Sequence, residues 1–292
     1  MPSSTFLQSV VRFLSANAAE GHYSHHQAIV GGDINQAFKI TTTQSSFFVK
    51  YNAIPKAFDM LEKEAMGLEL LRSAKAVGIP KVVGTGMASD FAFLVLEFIE
   101  KHEFGTANMF DFGQQIAKLH QCTQPKFGLG FNNYIGSLEQ SNLQHATWDD
   151  FFVNQRIIPQ LKMARNSGKM QRRTSLAFDA MFVRMSGFFP LEAPALLHGD
   201  LWAGNYLCGK NETAYLVDPA VYYGHREMDI GMTKLFGGFS ALFYDGYQSI
   251  YPLEKGWTDR IAIANLYPLL VHVNLFGGGY VDTVDKIVRK FA

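Results

Sequence analysis

The chain has 292 residues, of which 48% are hydrophobic and 18% charged, and 25 are phenylalanine; this composition builds a packed core and excludes a disordered chain. Its 26 basic and 26 acidic residues cancel, and no run of like charge reaches the length of a nucleic-acid- or membrane-binding tail, so neither partner is expected. Two cysteines, Cys122 and Cys208, are too few for a disulfide framework and predict reduced thiols in a cytoplasmic protein. The first residues lack a charged head followed by an apolar stretch, and nothing approaches the ~18 consecutive apolar residues of a membrane span.

The first elements read as strands. Residues 27–30, 37–40 and 47–51 are separated by Gly31-Gly32-Asp33 and by the polar turn 41–46, which predicts an antiparallel sheet. Met60, Leu61, Ala65, Leu68 and Leu71 follow helical spacing between 56 and about 74, and Gly78-Ile79-Pro80 ends the pattern. Strands at 82–84 and 91–98 complete a small β-rich unit near residue 100. Beyond it, helices are predicted at about 109–121, 147–166, 174–187, 229–240, 256–273 and 280–290, interrupted by a hairpin near 205–218. The expectation is an α+β chain with a small β-rich lobe over 1–100 and a larger α-rich lobe over 101–292. With no low-complexity linker, the lobes are expected to share a ligand-binding cleft, in a monomer.

Residues 196–205 read Leu-Leu-His-Gly-Asp-Leu-Trp-Ala-Gly-Asn and lead into 214–218, Ala-Tyr-Leu-Val-Asp. If 205–208 and 214–218 pair as a hairpin, Asn205 and Asp218 fall at one open end, beside the loop carrying Asp200. Phosphoryl transfer needs such a set: a carboxylate that positions the attacking hydroxyl and takes its proton, and hard oxygen ligands for magnesium on the phosphates. Asp200 suits the first role, Asn205 and Asp218 the second. Their order and spacing match kinase-type catalytic loops, with the metal-binding aspartate further on. Singly, each residue also fits an ordinary loop, cap or turn.

The amino-terminal unit is then expected to hold ATP. Gly31 and Gly32 lie between two strands, where small residues let backbone N–H groups approach phosphates. Lys50 ends an apolar strand segment and is placed to reach the α- and β-phosphates, with Glu64 on the following helix as its ion-pair partner. Asp111-Phe112-Gly113 spells a kinase metal motif but precedes the catalytic loop, and it reads as a helix start. His22, His25 and His26 lack nearby partners at ligand spacing and read as a surface segment, and His120 and His272 as core or hydrogen-bonded histidines.

Over nearly its full length the chain resembles the fructosamine kinase (ketosamine kinase) family, in the aminoglycoside-phosphotransferase branch of the protein-kinase-like fold. The resemblance rests on the 198–205 loop, on Phe127-Gly-Leu-Gly-Phe-Asn-Asn-Tyr-Ile-Gly136, on Trp148-Asp-Asp-Phe-Phe152 with Arg156 and Gln160, and on Asp218-Pro-Ala-Val-Tyr-Tyr-Gly-His-Arg-Glu-Met-Asp229. It implies a two-lobed fold with the nucleotide between the lobes. Asp200 would be the proton acceptor, Asn205 and Asp218 the Mg2+ ligands, Lys50 the phosphate contact, and Glu97-Phe98-Ile99 the segment touching adenine through its backbone. Asp229 would brace the catalytic loop. Asp33 stands where some relatives carry a cysteine, so redox control through that loop is not expected. The implied reaction is ATP-dependent phosphorylation of the 3-hydroxyl of ketosamines, free or on glycated proteins, giving unstable 3-phosphates that release the amine. Trp202, His225 and Arg226 flank the carboxylates and are candidate substrate contacts. A kinase for another small hydroxyl compound shares the same nucleotide residues, and a silent nucleotide-binding protein is the rival from another class.

Overall fold

The computed structural model describes residues 3–18, 21–29, 35–103, 105 and 108–292; the expected phosphate-binding glycines Gly31 and Gly32, and Asp33, lie outside them. The chain forms two compact units, Met1–Phe104 with Leu207–Asp218, and Gly105–Tyr206 with Pro219–Ala292.

The first unit is built on a five-stranded antiparallel sheet: β1 (Tyr23–Ile29), β2 (Gln36–Thr42), β3 (Ser46–Asn52), β4 (Val82–Ala88) and β5 (Phe91–Glu97), in the order β1-β2-β3-β5-β4. Side chains alternate between its faces. Phe38, Ile40, Val49, Tyr51, Phe93 and Val95 share one face with Phe6, Val10 and Leu14 of α1 (Ser4–Asn17). These three apolar residues recur every four positions on a helix that Ser3 caps through its hydroxyl, and burying them contributes roughly 1.5–3 kcal/mol each. Lys50 sits between Val49 and Tyr51 in β3, so alternation turns it to the other face, where α2 (Ala57–Ser73) brings Glu64.

The hairpin of β9 (Tyr206–Cys208) and β10 (Ala214–Leu216) comes from the second half of the sequence, yet residues 207–218 belong to the first unit. Backbone pairing explains this: Gly78 donates to Ala214 and accepts from Leu216, and His102 donates to Cys208 (3.1, 2.9 and 2.8 Å). A single division near residue 100 leaves out this return of the chain.

The second unit is mostly helical. It contains α3 (Asn108–His120), α4 (Trp148–Phe151), α5 (Ile158–Asn166), α6 (Arg172–Val183), α7 (Glu227–Leu235), α8 (Ala241–Ile250), α9 (Trp257–Ala264), α10 (Leu266–Leu275) and α11 (Tyr280–Phe291). A π-helical turn at Phe152–Ile157 joins α4 to α5. The Asp111-Phe112-Gly113 string lies in the start of α3, and its glycine serves packing: a Cβ there would overlap the Phe243 carbonyl of α8, while one on Gly246 would overlap the Phe110 carbonyl of α3. Two short ladders complete the unit, β6 (Asn133–Ile135) with β7 (Leu138–Gln140), and β8 (Ala195–Leu197) with β11 (Tyr222–Gly224). The second positions the site, because β8 runs straight into the 198–205 loop and β11 into α7.

Candidate active site

In the first unit the ammonium of Lys50 lies 2.7 Å from Glu64 and 2.5 Å from Asp218. Burial alone would lower the Lys50 pKa; the carboxylates of Asp218 and Glu64 reverse that and hold it above its ordinary value, so the residue is a fixed cation. Burial pushes the Glu64 carboxyl up to about 7 against the pull of Lys50, with Asp218 adding to the rise. Lys50 is 8% exposed at its side chain, whereas Asp218 is 49% exposed. Asp218 has φ +54° immediately before Pro219, a backbone state that costs of order 1–3 kcal/mol in a non-glycine residue and gathers at functional sites. Of the expected adenine segment, Glu97 and Phe98 give their N–H groups to the carbonyls of Lys81 and Ser46.

In the second unit, Asp229 lies in the first turn of α7, where the loop after β11 delivers it beneath the 198–205 loop. Its carboxylate accepts the backbone N–H groups of His198 (2.8 Å) and Gly199 (2.9 Å) and the Nε2–H of His120 (3.2 Å); the Tyr247 hydroxyl bonds the other ring nitrogen of His120 at 2.8 Å. Gly199 has φ +83°, and a Cβ on it would overlap the carbonyl of Ala220, so glycine is required between His198 and Asp200. The Ala220 N–H meanwhile bonds the His198 carbonyl at 2.9 Å. Fixed in this way, Asp200 takes a hydrogen bond from Asn205 Nδ2 on its Oδ2, and the same amide reaches the Asp200 carbonyl, both at 2.9 Å. The five-residue spacing thus closes the loop on itself, committing the amide nitrogen of Asn205 to Asp200.

A buried polar cluster supports the segment after Asp218, and sequence reasoning missed it. Gln140 Nε2 donates to the Ala220 carbonyl (3.0 Å) and Asn133 Nδ2 to that of Val221 (2.8 Å). The Tyr267 hydroxyl donates to Gln140 (2.7 Å), Asn142 donates to Asn133 (2.9 Å), and Arg156 donates to Asn142 (2.7 Å) while lying over the rings of Tyr222 and Phe151. The signal was the pair of motifs containing Asn133 and Arg156, which had no assigned role.

Two candidate substrate contacts are internal. Arg226 is 2% exposed, and its guanidinium is committed to Glu192 (2.8 and 2.7 Å) and to the carbonyls of Tyr251 and Pro252, both 2.7 Å. His225 is 1% exposed, against the rings of Trp148 and Phe189. Both therefore hold the start of α7 rather than a ligand. Trp202, by contrast, is 38% exposed.

Burial pushes His225 down to about 4, only partly opposed by Glu192 at 3.6 Å. Unfolded, it titrates near 6.5, so between those values the unfolded chain binds the extra proton: stability is complete above about pH 6.5 and falls as pH drops toward 4, by roughly 3 kcal/mol in total. Urea unfolding followed from pH 7 to 4.5 should show this loss, with a shallower pH slope in His225→Asn; equal slopes would assign the loss to other groups. Glu192, whose carboxyl Arg226 and His225 hold low despite burial, adds acid sensitivity only below the ordinary glutamate range.

Among the described residues no group of three His, Cys, Asp or Glu side chains could hold a metal ion. Among them too, no helix is long and apolar enough to cross a membrane.

A catalytic-type loop braced by the next helix's aspartate, together with a sheet lysine paired to a helical glutamate, defines a phosphotransferase of the protein-kinase-like fold. The solved structure of aminoglycoside phosphotransferase APH(4)-Ia shares this fold, with a TM-score of 0.62 over 98% of this chain and 99% of that one at 16% identity. The fructosamine kinase family model matches residues 6–292. A probable ketoamine kinase of Enterococcus faecium is 40% identical over 266 residues, covering 90% of this chain and 94% of its own. Probable ketoamine kinase YniA of Escherichia coli (strain K12) is 36% identical over 284 residues, or 97% of this chain and 98% of its own. A provisionally named fructosamine-3-kinase structure from Haemophilus somnus superposes with a TM-score of 0.89 at 28% identity, covering 98% of each chain. The chain belongs to the fructosamine kinase family, and it is an ATP-dependent phosphotransferase with an alcohol group as acceptor.

Proposed function

We propose that this protein phosphorylates the 3-hydroxyl of ketosamines, free or carried on glycated proteins, and so starts their decomposition to free amine. The observation that carries the reading is the 198–205 loop, in which Asn205 and Asp229 hold Asp200 and its backbone in place within a family match spanning residues 6–292. Asp200 orients the acceptor hydroxyl toward the γ-phosphate and takes its proton, positioning and charge neutralisation supplying most of the acceleration. Lys50 contacts the phosphates, and the backbone at Ile99 contacts adenine. A ternary complex of APH(4)-Ia with AMP-PNP and hygromycin B supports nucleotide binding by this fold.

Asn205 and Asp218 suit Mg2+ by donor chemistry. Asp218 brings a half-exposed carboxylate, and Asn205, whose amide nitrogen serves Asp200, would offer the ion its amide oxygen. A protein set this small is what magnesium uses when phosphate oxygens and water complete its shell. Bound there, the ion neutralises phosphate charge.

The test is magnesium-dependent ATP consumption against ketosamines, aminoglycosides, choline and free sugars. Selective turnover of ketosamines is the expected result. Turnover of another class alone would keep the kinase chemistry and overturn the acceptor.

A further inference from the structure

Trp202 begins a row of rings that leads away from the catalytic loop. Its backbone N–H bonds the Asp200 carbonyl at 3.1 Å, and its indole occupies the space that a side chain at Gly204 would fill. The indole meets Phe236 edge-on at 6.0 Å; Phe236 meets His272 at 5.1 Å, and His272 meets Phe276 at 5.5 Å and Tyr280 at 5.0 Å. Among the described residues, five aromatic side chains are exposed: Tyr23, Phe58, Trp202, Phe236 and Phe276. Three of the five stand in this row, at 38%, 42% and 57% exposure, so it is a continuous apolar surface and not scattered single residues.

The row also lies at two helix C-termini. Phe236 is the C-cap of α7 and Phe276 that of α10, and each is followed by a pair of glycines with φ between +63° and +89° that turns the chain aside. Helix C-termini carry partial negative charge and aromatic faces a negative quadrupole, and both favour a cation. Lys234, in the last turn of α7, is engaged elsewhere, 3.4 Å from the ring centre of Tyr244. His272 is fixed by a 2.7 Å bond from Nδ1 to the Pro268 carbonyl.

We infer that this row is the subsite for the amine half of the acceptor, and that it selects a cationic amine bearing an aromatic or apolar substituent. The inference rests on the ketosamine reading. In a ketosamine the reacting hydroxyl and a protonated secondary amine belong to one small molecule, so with the hydroxyl at Asp200 the amine and its substituent leave along a surface that begins at the same loop. Trp202 is where the row joins that loop, while Phe236 and Phe276 carry it outward.

The discriminating pair is the fructose adduct of benzylamine and that of methylamine, which share the sugar and the cationic nitrogen. The full-length protein should turn over both, with kcat/KM about tenfold higher for the benzylamine adduct, the scale expected of one well-placed ring. Phe236→Ala, at a position 42% exposed and next to Trp202 in the row, should bring the ratio toward one, and Phe236→Tyr should retain it. Turnover of both adducts at equal kcat/KM, or a ratio that survives Phe236→Ala, would overturn the subsite and leave the ketosamine reading standing. Turnover of neither would overturn that reading, and the subsite with it.

Discussion

Replacing Asp200 with asparagine should give a folded protein that still binds ATP but transfers phosphate about 10²–10⁴-fold more slowly, the range for losing a general base. The substitution is nearly isosteric, and its amide oxygen still offers an acceptor to Asn205 Nδ2, which sits 2.9 Å from Asp200 Oδ2 in the native loop. What it removes is the capacity to accept the hydroxyl's proton and to orient that hydroxyl as a carboxylate does. The check is single-turnover kinetics beside equilibrium nucleotide binding. Near-native transfer would remove Asp200 from the proposed chemistry, whereas loss of both transfer and binding would point to a displaced loop.

Asp229→Ala should be the most destabilising of the site substitutions considered. Three donors converge on its 1%-exposed carboxylate: the N–H groups of His198 and Gly199 and the imidazole of His120. Stranding buried donors costs roughly 1–3 kcal/mol each without adding fully, so a total of about 3–5 kcal/mol is expected in urea unfolding. Asp229→Asn, which keeps one acceptor oxygen, should lose less. Turnover should fall in both, because the groups released form the backbone immediately before Asp200. An alanine variant within about 1 kcal/mol of native would mean that the loop is held from elsewhere.

These two residues also show how far a sequence can be read. Asp200, Asn205 and Asp218 stood out because local spacing carries kinase-type chemistry, and Asp229 followed from the family pattern. The Lys50–Glu64 pair could be anticipated because strand alternation and helix order are local rules, and the two side chains meet at 2.7 Å. The Arg226 environment was not legible: its partner Glu192 lies 34 residues earlier, so the arginine read as a polar flank available to substrate when it is an internal ion pair. The Gln140, Asn133 and Asn142 amides had the same problem, since polar residues in short strands and loops read as surface until the fold brings the carbonyls of Ala220 and Val221 onto them.

Secondary structure divides similarly. The apolar spacing of Phe6, Val10 and Leu14 after Ser3 carried a helix signal for α1 that the strand-led reading of this region passed over. The segment 256–273, expected as one helix, is α9 and α10 parted at Asn265, whose buried side chain donates to the Gly231 carbonyl of α7. That break answers to a tertiary partner 34 residues away, beyond any local pattern. Helix α8 is absent from the sequence expectation because its close approach to α3 depends on Gly246, a residue that weakens a helical pattern when read alone.

The measurement that bears most directly on the central claim is the position of the transferred phosphate. Incubating the protein with ATP, magnesium and carbon-13-labelled fructosylamine, and following the product by carbon and phosphorus NMR, should show a phosphomonoester on O3 of the sugar, followed by release of the free amine. Phosphate on any other hydroxyl, or no transfer to this substrate while another alcohol is phosphorylated, would contradict the account.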